Sequence, residues 1–313
     1  MKKAISIVLT FVVIQILIST NIISAYLQDT LATICINIIL AVSLNLITGF
    51  TGQFSLGHAG FMSIGAYICA FITLRMPTMT GFILGVFAGA LAAALVGCLV
   101  GLPTLRLRGD YLAIATLGMS EIIRIIFLNL KVTNGAAGLN GIPQFINWGW
   151  LFIFTVGTIL VITNFLKSSH GRACISIRED EIAAEAMGVN TTKYKVVAFT
   201  VGAFCAGIAG AVYASYFYFL EPNLFGFLKS VDVLVIVVLG GLGSVSGSIL
   251  AAILLALIST ILQSFSEARM IIYSLALIII MIFRPQGLMG SKEISLAVFK
   301  KLGRQFMSGK GRV

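Results

Sequence analysis

Gly81 to Pro103 reads GFILGVFAGALAAALVGCLVGLP, an unbroken apolar stretch without a single charged side chain. Wound into a helix at 1.5 Å per residue, it exceeds the roughly 30 Å hydrocarbon core of a bilayer. Inside lipid every backbone N–H and C=O must be satisfied within the protein, and a helix does this without help. The rest of the chain repeats the pattern. Apolar runs fall at about 4–26, 31–48, 58–74, 81–103, 110–130, 149–166, 194–219, 229–242, 244–264 and 271–284. Hydrophobic residues make up 59% of the 313 and charged residues 10%, against about 25% charged in a soluble domain. The chain therefore reads as one transmembrane domain over 1–313, an all-α integral membrane protein. We expect a polytopic helical bundle of about 8–10 membrane segments, some of them discontinuous.

A net charge of +10 on a soluble domain would suggest nucleic acid. Here the Lys and Arg stand in the breaks between apolar runs, so membrane topology explains them and no nucleic-acid partner is expected. Four clusters hold most of the positive residues: Lys2 and Lys3; Arg106 and Arg108; Lys167, Arg172, Arg178, Lys193 and Lys195; and Arg284 with Lys292, Lys300, Lys301, Arg304, Lys310 and Arg312. Placing all four in the cytoplasm requires an even number of crossings between neighbours. The intervening runs number four, two and four, so both termini are expected in the cytoplasm and residues 285–313 form a basic cytoplasmic tail. The first run follows Lys2 and Lys3 as a signal peptide would. It outlasts the roughly 7–15 residues of such a segment and lacks a small-x-small cleavage site, so it reads as a retained helix.

The five cysteines are scattered singly, with neither a CxxC pair nor a Cys/His cluster, which supports no metal site and no disulfide framework. The two histidines, His58 and His170, stand far apart. A membrane-embedded enzyme would need a constellation of His, Asp, Glu or Cys at one depth, so no catalytic residue is assigned. Gly241-x-Gly243 lacks the lysine and the soluble βαβ setting of a nucleotide site.

Two stretches look like interrupted membrane segments. Ile47 to Gly60, ITGFTGQFSLGHAG, carries four glycines with hydroxyl and amide groups yet no charge. Such backbone suits membrane depth, lining a cavity or buried in protein. Gly240 to Gly247, GGLGSVSG, follows an apolar run of only about 14 residues, short for a full crossing. Paired interruptions point to a substrate path in transporters; the plainer alternative is close helix packing through small residues. The candidate path residues are Asn45, Gln53, Ser55, His58, Thr116, Gly240, Gly241 and Gly243, with Glu121 and Arg124 added because ionisable groups are costly within the membrane. Glu121 and Arg124 stand three apart and could pair on one helix face.

The most charged window is 167–193, expected as a cytoplasmic loop. A helix over about Ile175–Met187 would be stopped by Gly188 in the left-handed region, and Asn190 would cap the next helix. Ile175, Ile182 and Met187 would give it an apolar side, and Arg178, Glu179, Asp180, Glu181 and Glu185 a charged one. Two readings stand: a coupling helix gripped by a partner subunit, or an amphipathic helix on the headgroups.

Ile182-Ala183-Ala184-Glu185-Ala186-Met187-Gly188 resembles the EAA loop of ABC importer permeases, with Ile182 where Glu is usual. The longer string from Arg172 to Gly188 resembles the form found in branched-chain amino-acid permeases. Asn45 to Phe61 and Leu239 to Ser244 are similar to further motifs of that family, and Arg106 to Gly118, followed by Glu121 and Arg124, resembles its middle motif, particularly in LivM-type subunits. The resemblance spans about 40–290, and permeases for urea and short amides share much of it.

That resemblance implies the permease subunit of an ATP-driven importer of leucine, isoleucine and valine in the bacterial cytoplasmic (inner) membrane. Urea or short amides are the alternative cargo, and an ion-coupled secondary transporter the alternative mechanism. The implied partners, besides membrane lipid, are a second permease subunit of LivH type, two cytoplasmic ABC ATPases and an extracytoplasmic substrate-binding protein. ATP and Mg would be bound by the ATPases, with no cofactor in this chain. Arg178, Glu179, Asp180, Glu181, Ala183, Ala184, Glu185 and Gly188 would couple the chain to them.

Overall fold

The computed structural model describes residues 2–20, 24–105, 107, 109–262, 275, 278 and 287–290. Most of the last apolar run, most of the 285–313 tail, and Arg106 and Arg108 lie outside the described residues. The helices are α1 (Lys2–Ser19), α2 (Ala25–Asn45), α3 (His58–Arg75), α4 (Met79–Thr104), α5 (Asp110–Asn129), α6 (Trp148–Lys167), α7 (Ser169–Glu179), α8 (Glu181–Ala186), α9 (Thr191–Phe217), α10 (Phe227–Gly240) and α11 (Val245–Ile261). Six stretches are long and apolar enough to cross a bilayer: Ala25–Phe50, Met79–Thr104, Asp110–Asn129, Trp148–Lys167, Thr191–Phe217 and Pro222–Gly240. Among the described residues the expected all-α membrane bundle forms, apart from a two-residue antiparallel pair, β1 (Leu139–Asn140) on β2 (Phe219–Leu220).

Side-chain caps set several helix starts. Thr78 accepts from Gly81 N at 3.1 Å, Asn190 from Lys193 N at 3.0 Å and Ser244 from Gly247 N at 3.1 Å. Pro103 stands in the last turn of α4, where it lacks the N–H that would bond to Leu99 O, and the helix ends one residue later. The second helix starts earlier than the apolar pattern suggests, at Ala25 rather than about residue 31. The polar Gln28 and Asp29 of its first turns lie at the end of the bundle, where Asp29 accepts from the Tyr216 hydroxyl at 3.0 Å.

The centre of the bundle is α3, α4 and α9 packed on small residues. A Cβ on Gly65 would collide with the Gly207 carbonyl, and one on Gly210 with the Met62 carbonyl. Lipid offers no hydrophobic drive for helix association, so this close backbone approach supplies the dispersion contact instead. Phe61 and Phe199 pack edge to face beside it at 5.4 Å between centroids. Helix α2 lies against α6, α9, α10 and α11, and Ile39, Leu40, Val42 and Leu44 on it are fully buried. The bundle has two ends. One carries α7 and α8; the other carries the β1–β2 pair, reached by α5 and α9.

Candidate functional site

The two interruptions meet. After Asn45 the second helix widens into one π-helical turn, Leu46–Phe50, a device common where a helix serves a function. The Asn45 amide, completely buried, then spans to the other break. Its Nδ2 donates to Ser244 O at 2.9 Å and Ser248 Oγ at 2.8 Å, and its Oδ1 accepts from Gly243 N at 2.9 Å. A donor nitrogen facing a carbonyl and an acceptor oxygen facing an N–H fix the amide's orientation. Gly49 is required there: a Cβ would collide with Asn45 Oδ1 and Gly243 N. Gly240 packs directly on Gly247, and Gly241 and Gly243 hold φ of 110° and 86°, a region that side chains avoid. Leu288 N donates to Leu239 O at 2.8 Å, so the chain after the last apolar run returns to the same place.

A third element closes on this junction. Arg178, in the last turn of α7, donates from Nη1 to Gly49 O at 2.9 Å. Its stem lies against Gly52, where a Cβ would come within 3.2 Å of Cγ, and its Nη1 lies against Gly243. Nε and Nη2 pair with Glu179 Oε1 at 3.1 and 2.5 Å. One guanidinium thus joins the charged loop to both breaks.

That loop is not the single helix expected over 175–187. Asp180 takes an extended conformation, φ −158° and ψ 110°, and its carboxylate caps a new helix by accepting from Ile182 N at 2.9 Å and Ala183 N at 3.0 Å. An aspartate is a better N-cap than a mid-helix residue, and the chain uses it so. The expected single apolar side divides as well. Ile175 packs inward and Ala184 is buried, whereas Ile182 and Met187 are 73% and 84% exposed. Ala183 and Glu185 also face out. Glu181 holds α8 to α9 through Lys195 at 2.7 Å. Gly188 adopts φ 85° with nothing near its missing Cβ, so its need is conformational, and Asn190 caps α9.

The remaining path candidates fall in two groups. Residues 51–57 run as an arm along α5: Leu56 N donates to Thr116 Oγ1 at 3.1 Å, and a Cβ on Gly57 would lie 2.5 Å from Thr116 O. Ser55 Oγ accepts from Gly57 N at 3.4 Å. Ser43 donates to Leu40 O at 2.9 Å, which makes it the acceptor from His58 Nε2 at 2.7 Å. His58 Nδ1, Thr48 Oγ1 and both amide atoms of Gln53 are buried without a hydrogen-bond partner. Glu121 and Arg124 pair as their spacing suggests, at 2.7 Å. They belong elsewhere, with Asn223 on Arg124 at 3.0 Å and Phe227 N on Glu121 at 3.1 Å. Sequence reading missed Ser248, Asn223 and Lys195 as partners. Ser248 sits one turn into an apolar helix, and nothing in its spacing announces an asparagine 203 residues away.

Residues 26–283 match the family described as branched-chain amino acid transport system / permease component. The chain is 38% identical over 289 residues to the high-affinity branched-chain amino acid transport system permease protein LivM of Salmonella typhimurium, covering 81% of this chain and 68% of that one. It is 24% identical to LivH of the same organism, covering 82% and 92%, and 24% identical to a probable LivM of Methanocaldococcus jannaschii, covering 77% and 73%. No solved structure matches. With most of its length inside that match, the chain belongs to the branched-chain amino acid transport permease family.

Proposed function

We propose that this chain is the membrane-spanning permease subunit of an ATP-driven importer of branched-chain amino acids. The observation that carries the mechanism is Arg178, whose guanidinium reaches from α7 to the Gly49 carbonyl at the meeting of the two breaks. Two cytoplasmic ATPase subunits would grip α8 through its exposed Ile182 and Met187. Lys195 holds α8 to the long helix α9, so a pull on α8 is resisted by the bundle and passed through α7 to Arg178. The grip drives transport only because the ATPases bind α7–α8 differently in their nucleotide states; equal affinity for both would shift nothing. ATP and Mg are bound there, and this chain needs no cofactor of its own.

In this reading α7, α8 and both termini lie on the cytoplasmic side of the bacterial cytoplasmic membrane. A second permease of LivH type completes the membrane part, and an extracytoplasmic binding protein delivers the amino acid. Similarity to proteins named for branched-chain amino acids supports the cargo. The test is reconstitution of the complete set in liposomes with labelled leucine inside a donor compartment. Uptake that needs ATP and stops when any subunit is omitted is the expected result. Uptake of urea in place of leucine overturns the cargo, and uptake driven by an ion gradient without ATP overturns the mechanism.

A further inference from the structure

The arm 51–57 is built the wrong way round for a segment that only packs. Its burial alternates as an extended chain does: Thr51, Gln53 and Ser55 are 2%, 2% and 1% exposed, whereas Gly52 and Phe54 are exposed. The polar side chains point into the protein and the aromatic ring points away. Of the inward groups, Thr51 donates to Leu46 O at 2.8 Å and Ser55 accepts from Gly57 N. Gln53 has a partner for neither amide atom.

Gln53 is the middle of a series. Thr48 Oγ1 precedes it, buried and unpartnered in the π-helical turn, and His58 Nδ1 follows it, buried and unpartnered at the start of α3. Because His58 Nε2 donates to Ser43, Nδ1 carries the lone pair and accepts. Contacts order the arm along the bundle. Gly52 lies on Arg178 of α7, Leu56 and Gly57 on Thr116 of α5, and His58 and Ala59 on Ser43 of α2 and Ser230 of α10. The arm therefore runs from the α7 end into the interior. Close packing through small residues has no use for a glutamine and a histidine with free polar atoms, and each such atom disfavours the arrangement that leaves it so.

We propose that the arm parts from α5 when α7 shifts Arg178, and that Thr48, Gln53 and His58 then become successive contacts of the amino acid leaving towards the α7–α8 end. The inference rests on the importer reading above and adds to it the residues that meet the cargo. A zwitterion needs acceptors for its ammonium and donors for its carboxylate. The Gln53 amide supplies one of each, His58 Nδ1 a second acceptor and the Thr48 hydroxyl a second donor. The stretch 47–60 carries no Asp, Glu, Lys or Arg, so each hold on the charged ends is weak and release is not impeded. The arm's own hold on α5 is slight, a hydrogen bond from Leu56 N to Thr116 and close packing at Gly57.

The experiment uses the assembled transporter in liposomes, carrying Gln53→Cys or Ser55→Cys, with Thr155→Cys on α6 as a buried control. The probe is a small cationic methanethiosulfonate, and the parent chain gives the background from its own five cysteines. Both arm positions should react about tenfold faster during ATP turnover with leucine than at rest, the size of a typical coupling, while Thr155→Cys does not change. Unchanged rates on the arm overturn the proposal, and equal acceleration at all three positions, a general loosening, does so too. Gln53→Met should lower leucine uptake per ATP about threefold, the worth of one modest hydrogen bond. Gln53→Asn, which keeps a donor and an acceptor, should recover most of it; equal loss in both removes the amide from the path. Uptake by the parent keeps the readings apart. If it needs ATP while the arm stays inert, the path fails and the importer stands; if it runs without ATP, the importer fails first.

Discussion

The two glycine-rich breaks look alike in sequence and differ in how their polar groups are satisfied. At Gly241–Ser244 the buried groups find partners: Asn45 takes Gly243 N and Ser244 O, Ser248 adds its hydroxyl to the same carbonyl, and Ser244 caps α11. At 46–58, Thr48, Gln53 and His58 each keep a buried polar atom without a partner. Such an atom costs about 1–3 kcal/mol. The second break is therefore a lock, and the first is the side that gains by rearranging. Arg178 sits on the boundary between them, which is where a pull from α7 can favour one arrangement over another.

The comparison is broken most severely at Asn45. Asn45→Ala leaves Gly243 N, Ser244 O and Ser248 without their partner and is expected to destabilise the bundle by about 3 kcal/mol, read as a lower thermal midpoint in detergent together with lost uptake. An unchanged midpoint would show that the lock is held by glycine packing alone. Arg178→Ala comes next. Its effect should fall on coupling, with ATP hydrolysis persisting while uptake drops about tenfold, the size of a typical coupling free energy. Arg178→Lys should recover little, since a lysine cannot hold Glu179 and Gly49 O together with one planar fork.

Met187→Asp puts a charge on the exposed α8 surface, so folding stability should stay within about 0.5 kcal/mol of the parent and the thermal midpoint should barely move. Uptake should fall because the ATPases no longer seat; normal pull-down of the ATPase subunits would remove α8 from the docking surface. The smallest effect is expected at Gln53. Replacing an unpartnered buried amide by the similar-sized apolar Gln53→Met should stabilise the chain by about 1 kcal/mol while slowing transport. A loss of stability instead would mean that Gln53 is already satisfied and that the two breaks are alike.

Much of this was legible in advance. The charge-free stretch at 81–103 could only be a membrane helix, and α4 spans Met79–Thr104. The uncharged glycine-rich windows marked both breaks, but the run before Gly240 is not too short to cross: the turn Pro222–Phe225 precedes the 14 residues of α10, and Pro222–Gly240 together is long and apolar enough to span a bilayer. The i, i+3 spacing of Glu121 and Arg124 was enough to pair them, because a helix fixes that neighbourhood locally. The charged loop was read less well. Its charged and apolar residues suggested one continuous helix, but Asp180 competes for the backbone N–H groups that follow it and starts a new one.

By itself the sequence determined the solvent, the class of element and the places where helices stop, since hydrophobic length, glycine and capping side chains act within a few residues of one another. Only the tertiary structure decided that the two breaks are one site. Asn45 and Gly243 are 198 residues apart and Arg178 is 129 from Gly49, and no local periodicity encodes a hydrogen bond across such spans. It also turned Leu91 and Leu95 of α4 outward and Leu40 and Leu44 of α2 inward. Which way a helix turns in a bilayer is set by the neighbours it packs against, not by its own composition.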